Sequence, residues 1–376
     1  MTENPKHLLD SASESSQRPS KIAKTAVEEL SDDEEEQQQL QQPPAKEPMS
    51  PNSRIQRYLV AVEYIGTRFS GSQKQPNIRT VVGVLEEAFH KFIGQPVPIF
   101  CSSRTDAGVH ALSNVCHVDV ERISKRKPGE VLPPHEPVVV RRAVNHFLQK
   151  NEGDIMVIDV QCVPADFHAR YKALERTYFY RLLSGPEPLS TFERDRAWHV
   201  PEEMDILAMQ EASKVLVGHH DFSSFRAAGC QAKSPMRTLD ELNISEVVSN
   251  PYFPTITERR QNNLALGDLH ASSNKSETDL SPSSISIDDR ARGLNGGTDF
   301  GFGIRRRHRC FVVTARARSF LYHQVRLLVG VLKAVGTGDL TVSDVERILN
   351  AKNVTAASPM APSCGLYLGH VKYDLP

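Results

Sequence analysis

The chain lacks any apolar run near the roughly 20 residues that a membrane-spanning helix needs, so no membrane partner is expected. It has no Cys-x-x-Cys pair. Its cysteines (Cys101, Cys116, Cys162, Cys230, Cys310, Cys364) do not combine with histidines at zinc-ligand spacing. Free thiols in a reducing intracellular compartment are the expectation. His219-His220-Asp221 comes nearest to a metal group, but neighbouring side chains diverge and no further ligand is evident. Gly-x-Gly-x-x-Gly is missing, which argues against a dinucleotide fold. Neither the apolar core of a secretory signal nor an arginine-rich, acid-poor transit sequence opens the chain. Cytoplasm or nucleus is expected, and mitochondrial import through an internal signal stays open.

Net charge is almost absent too, at −1 over 376 residues. The balance hides an asymmetry. Residues 1–52 hold five Lys/Arg and eleven Asp/Glu, which leaves the remainder at +5. A mildly basic body suits contact with a polyanion, although such a charge is also ordinary for this size. Residues 1–53 have little to bury and read as a disordered acidic tail, with Ser31-Asp32-Asp33-Glu34-Glu35-Glu36, a glutamine run and Pro43-Pro44. Residues 255–300 lose periodicity and read as a disordered insertion.

Between these segments the pattern alternates. Tyr58, Val60, Val62 and Tyr64 recur at period two, which predicts a strand. Val81, Leu85, Ala88, Phe89 and Phe92 recur at helical spacing behind Thr80, a natural N-cap. Strands are predicted over 97–101, 114–120, 154–163, 176–183, 242–248, 309–318 and 365–373. Helices are predicted over 138–148, 204–217, 322–335 and 342–349. The expected fold class is α/β (α+β). Two mixed α/β subdomains, 54–165 and 166–376, place antiparallel sheets around a central cleft.

The most informative stretch is Ser102-Ser103-Arg104-Thr105-Asp106-Ala107-Gly108-Val109-His110-Ala111, just past a strand. Loops on a rigid scaffold carry chemistry, and Gly108 could hold Asp106 in an exposed turn. A lone loop aspartate would more simply make a turn. Other pieces accompany it. Asp166-Phe167-His168-Ala169-Arg170 follows a strand. Tyr178 and Tyr180 share a strand face, able either to stack a base or to pack in the core. Arg326 lies among Val325, Leu328, Val329 and Leu332, where a guanidinium needs a carboxylate or phosphate partner. Asp106 is the candidate partner. The run Arg305-Arg306-Arg307-His308-Arg309 suits phosphate contacts or a solvated loop equally.

These motifs together resemble the TruA family of tRNA pseudouridine synthases. The resemblance spans residues 55–376 outside the insertion. It rests on Arg104-Thr105-Asp106-Ala107-Gly108-Val109-His110-Ala111, Tyr64-x-Gly66-Thr67-x-Phe69-x-Gly71, Phe167-His168-Ala169-Arg170, Arg176-Thr177-Tyr178-x-Tyr180, Asp221-Phe222-Ser223-Ser224-Phe225, Ser319-Phe320-Leu321-Tyr322-His323-Gln324-Val325-Arg326 and Gly365-Leu366. Within the family, Ser102–Asn114 is most similar to the eukaryotic branch. Ile65, Ser72 and Ser103 depart from the residues usual there. The resemblance implies the pseudouridine synthase fold and isomerisation of uridine to pseudouridine in tRNA, in the anticodon stem-loop. It implies Asp106 as the catalytic aspartate, Arg326 as its ion-pair partner and Tyr178 over the uracil. Leu366 would be an apolar wall, and Arg104, His110, His168 and Arg170 would contact substrate. No cofactor or metal is implied; the implied partners are tRNA and a second copy of the chain. The rival readings are a non-catalytic RNA-binding module, action on other RNAs such as mRNA, and a nucleoside hydrolase with Asp166 as second carboxylate.

Overall fold

The computed structural model describes residues 54–127, 129–247, 308–357 and 359–375. The expected tail (1–53), insertion (255–300) and Arg305–Arg307 lie outside them.

The first half opens with β1 (Ile55–Tyr64), and Tyr58, Val60, Val62 and Tyr64 are buried as their alternation requires. Helix α1 (Val81–Ile93) starts where the Thr80 side chain accepts a hydrogen bond from the Gly83 amide. It ends at Gly94, whose φ of 89° suits only glycine well. Its Val81, Leu85 and Phe89 turn inward. Phe89 is fully buried, and truncation to alanine there would cost about 3–5 kcal/mol. Strands β2 (Ile99–Cys101) and β3 (His110–Glu121) follow, then helix α2 (Pro137–Asn151), which buries Val140, Val144 and Leu148, and strand β4 (Ile155–Val163).

The second half runs through β5 (Glu175–Ser184), β6 (Trp198–Val200), α3 (Ile206–Leu216), β7 (Gly218–Asp221), β8 (Met236–Val247), β9 (Arg309–Ala317), α4 (Gln324–Gly336), α5 (Val342–Ala351) and β10 (Leu366–Lys372). Helix α5 begins with a capping box between Thr341 and Asp344. Helix α3 packs on β8, α4 and α5.

Each half is antiparallel, as expected, with β6 added parallel to β5. The halves do not form separate sheets. One ten-stranded sheet runs β4-β1-β3-β10-β5-β9-β8-β7, with β2 beside β3 and β6 beside β5. The join is a short parallel pairing in which Tyr367 faces His110 and Leu368 faces Ala111. On β3, β2 occupies the edge at Cys116–Val118 and β10 takes it at His110–Ala111. That hand-over satisfies backbone groups that would otherwise be buried unpaired. It also fixes where the loop between β2 and β3 emerges.

Candidate active site

That loop carries Asp106, and its backbone is tied on several sides. Thr105 N donates to Ser72 Oγ (2.8 Å), and Ser72 N donates to Thr105 O (3.0 Å). Gly108 N donates to Phe69 O (3.2 Å), and Val109 N closes the turn onto Asp106 O (3.1 Å). The Tyr64 hydroxyl and Thr105 Oγ1 share a bond of 2.8 Å, and Asn114 Nδ2 donates to Ser103 O (3.2 Å). Gly108 sits at φ 80°, and a Cβ there would lie 2.6 Å from Ser363 Oγ. Only glycine meets both conditions. Ser72, one of the departures from the family pattern, is therefore part of the clamp. Ile65 instead lies at the surface, 37% exposed.

Across the seam, Arg326 stands on the first turn of α4. Its Nη1 lies 3.4 Å from Asp106 Oδ2, and its Nε donates to Ala361 O (2.8 Å). The expected ion pair is present. A second ring nitrogen approaches the same oxygen: His323 Nε2 lies 3.2 Å from Asp106 Oδ2. His323 is the N-cap of α4 at φ 63°, a conformation costing a non-glycine residue roughly 1–2 kcal/mol. Such strain concentrates at functional positions. Its ring stacks on Tyr322 at 3.7 Å. In the sequence His323 stands inside the Ser319–Arg326 motif with no role of its own. Its spacing of three from Arg326 at a helix start was the available signal.

The loop and α4 form one end of a cavity of about 740 Å³. Tyr178 and Leu366, both buried, line it, as do Arg104 and Arg170. The Tyr178 ring meets Phe320 edge-on at 5.2 Å. Burial pushes its hydroxyl up to about 12; the Asp106 charge adds to this, while Arg176 and a hydrogen bond with Ser103 oppose it. The hydroxyl is thus protonated at neutral pH. Tyr180, on the same strand face, is a core residue whose hydroxyl donates to Pro362 O (2.7 Å). Arg176 braces the mouth, with Nη2 donating to Ser102 O (3.1 Å) and Arg170 O (3.0 Å).

Two expected contact residues lie elsewhere. His110 is buried and does not line the cavity. Its Nδ1 accepts from Gly66 N (3.0 Å), and its Nε2 lies 3.1 Å from both Asp195 O and Cys364 O. Its ring stacks on Tyr367 at 4.6 Å. With both nitrogens consumed, it pins the two halves at the seam. His168 lies behind the cavity wall, 4.2 Å from the Tyr171 ring, with Nδ1 accepting from Arg170 N (3.1 Å). Asp166 is exposed and outside the cavity. Among the described residues lining the cavity, Asp106 is the sole carboxylate, accompanied by five arginines. His219 and His220 spend ring nitrogens on Thr238 Oγ1 (2.9 Å) and Val217 O (3.0 Å).

A single carboxylate, held by a guanidinium and an imidazole in an arginine-rich hollow, suits a nucleotide substrate. Residues 60–172 and 212–374 match the family described as tRNA pseudouridine synthase. The chain is 37% identical over 319 residues to the tRNA pseudouridine synthase A of Rhodospirillum centenum, covering 85% of this chain and 100% of the relative. It is 36% identical over 320 residues to that of Paramagnetospirillum magneticum, covering 85% and 96%. It is 33% identical over 319 residues to that of Bartonella henselae, covering 85% and 100%. The chain belongs to the tRNA pseudouridine synthase family.

Proposed function

We propose that the chain isomerises uridine to pseudouridine in transfer RNA, with the target in the anticodon stem-loop. The observation that carries this reading is Asp106 as the sole carboxylate, among arginines, of the described residues lining the cavity. A glycoside hydrolase would usually place two carboxylates about the bond, whereas a polyanionic RNA wants cations around one reactive acid.

The target base has to leave its stack first, at a cost of a few kcal/mol. Arg104 and Arg170 at the mouth would hold the flanking phosphates. Asp106 then acts on the nucleoside, either by attacking it or by taking a sugar proton. The N1–C1′ bond breaks, the uracil rotates against Leu366, and a C5–C1′ bond forms. The proton on C5 then leaves and N1 takes one up from solvent, so product and substrate are isomers. Because its hydroxyl is protonated at rest, Tyr178 serves best as a relay that gives and receives a proton within one step. Arg326 and His323 stabilise the charge that Asp106 carries before and after its encounter with the sugar. The bonds broken and formed lie within one nucleotide, so no external electron carrier enters the balance.

The test uses an anticodon stem-loop RNA with tritium at uridine C5. Wild-type protein should release tritium and leave pseudouridine. Asp106→Asn should keep RNA affinity and release none. Turnover in Asp106→Asn, or free uracil in place of pseudouridine, would overturn the reading. Binding without release in the wild type would favour a non-catalytic RNA-binding module. By the same family resemblance we place a second copy of the chain in the active assembly; sedimentation giving only monomer in the presence of RNA would exclude it.

A further inference from the structure

A run of rings leads away from the cavity mouth on the outer side of Tyr171, which lines the cavity. The Tyr171 and His168 rings are 4.2 Å apart, and His168 and His117 are 4.6 Å apart. The Phe100 ring lies 5.2 Å from His117 and within 17° of parallel to it. Phe100 and His117 face each other directly across β2 and β3. His117 is fixed from behind, since its Nδ1 accepts from Ala169 N (3.2 Å). Phe100 caps the run with half its surface exposed (50%).

The electrostatics here are neutral. Burial lowers the affinity of both imidazoles for a proton, His117 to about 4. The nearby Arg57 is spent on Asp119, through Nε (2.7 Å) and Nη2 (2.6 Å), and on Phe167 O (2.9 Å). Asp166 also faces Arg57. Arg170, over the Tyr171 ring at 5.9 Å, marks the end nearest the cavity. A flat, uncharged, half-exposed aromatic face beside a cationic mouth is what unpaired bases stack on.

We propose that Phe100, backed by His117 and His168, is a stacking platform for an unpaired RNA base next to the nucleotide held over Asp106. This rests on the reading of the cavity as an RNA site. The platform holds the strand on the outer side of the mouth. It reads no base edge, so it tolerates any base and contributes affinity and register rather than sequence preference.

The experiment uses the full chain and an anticodon stem-loop RNA carrying 2-aminopurine at one loop position at a time. Binding should quench the fluorophore at a position flanking the target uridine. Phe100→Ala should abolish that quench and raise Kd about tenfold. Phe100→Tyr should restore both. Phe100→Leu keeps an apolar cover over His117 without a flat ring, so it should bind as weakly as the alanine variant, and thermal melting confirms that each variant is folded. The proposal falls if Phe100→Ala binds with unchanged Kd. It falls equally if Phe100→Leu restores affinity, which would make the ring mere cover. A change in oligomeric state with unchanged Kd would assign the face to a second copy of the chain and overturn the proposal. Tritium release by the wild type on the same RNA is scored separately. Its failure would sink the catalytic reading, whereas release with an unresponsive Phe100 sinks only the platform.

Discussion

His323 joins two quantities that ordinarily travel together, stability and rate, and the structure predicts that they separate. Its backbone sits at φ 63°, which costs roughly 1–2 kcal/mol in any residue but glycine. Its Nε2 reaches Asp106 Oδ2 at 3.2 Å. His323→Gly removes the strain but adds about 0.5–1 kcal/mol of unfolded-chain entropy, so its net stability change should be within about 1 kcal/mol. His323→Ala keeps the strain and should be about 1 kcal/mol less stable than the glycine variant. Both lose the same imidazole contact with the carboxylate. Such a contact with a partly exposed carboxylate, 27% exposed here, is worth up to about 1 kcal/mol. Each variant should therefore slow single-turnover tritium release at saturating RNA up to about fivefold, equally, despite unequal melting temperatures. His323→Gln, whose amide can donate, should recover part of the rate. If the rates instead follow the melting temperatures, His323 acts only through the fold. If neither variant is slower, the contact with Asp106 has no part in turnover.

Tyr178→Phe keeps the ring against Phe320 but lacks the relay hydroxyl; tritium at C5 should stay with the RNA while a rearranged, still C5-protonated adduct accumulates on the protein, seen as a slow-migrating protein–RNA band. Gly108→Ala should displace Asp106 and depress activity strongly, because its Cβ would meet Ser363 Oγ at 2.6 Å. Adding Ser363→Ala removes that atom and should recover part of the loss, leaving a residual penalty of roughly 1 kcal/mol from the left-handed backbone. For His117, the folded protein binds the proton only near pH 4 against an ordinary value of 6.5. Between those values the unfolded chain holds more protons, so stability rises with pH across that window and falls on acidification. The contribution is about 1–2 kcal/mol once solvent screening is allowed for. Denaturant midpoints of His117→Gln should show a shallower acid slope, and an unchanged slope would contradict the assignment.

Much of this architecture was legible because local pattern and tertiary role agree. Tyr58, Val60, Val62 and Tyr64 alternate and are buried; Thr80 caps the helix it precedes. The pairing of Asp106 with Arg326 followed from the cost of an unpartnered guanidinium on an apolar helix. What escaped was decided by long-range geometry. Strands β6 and β7 are three and four residues long, too short for a period to register. The single sheet depends on two residue pairs far apart in sequence. His110 sits inside the reactive motif, yet its nitrogens are consumed by backbone from Gly66, Asp195 and Cys364. His323 reaches Asp106 through a left-handed backbone that residue identity does not announce.

The order of strands has a consequence for biosynthesis. β10 is the last strand in sequence and lies in the middle of the sheet, between β3 and β5. A nascent polypeptide emerging from the ribosome therefore carries two open sheet edges until residues 366–372 arrive. Leu366, a wall of the cavity, arrives with them. A half-made chain can neither close the sheet nor offer a finished pocket to RNA, and those exposed edges are where chaperones would be needed.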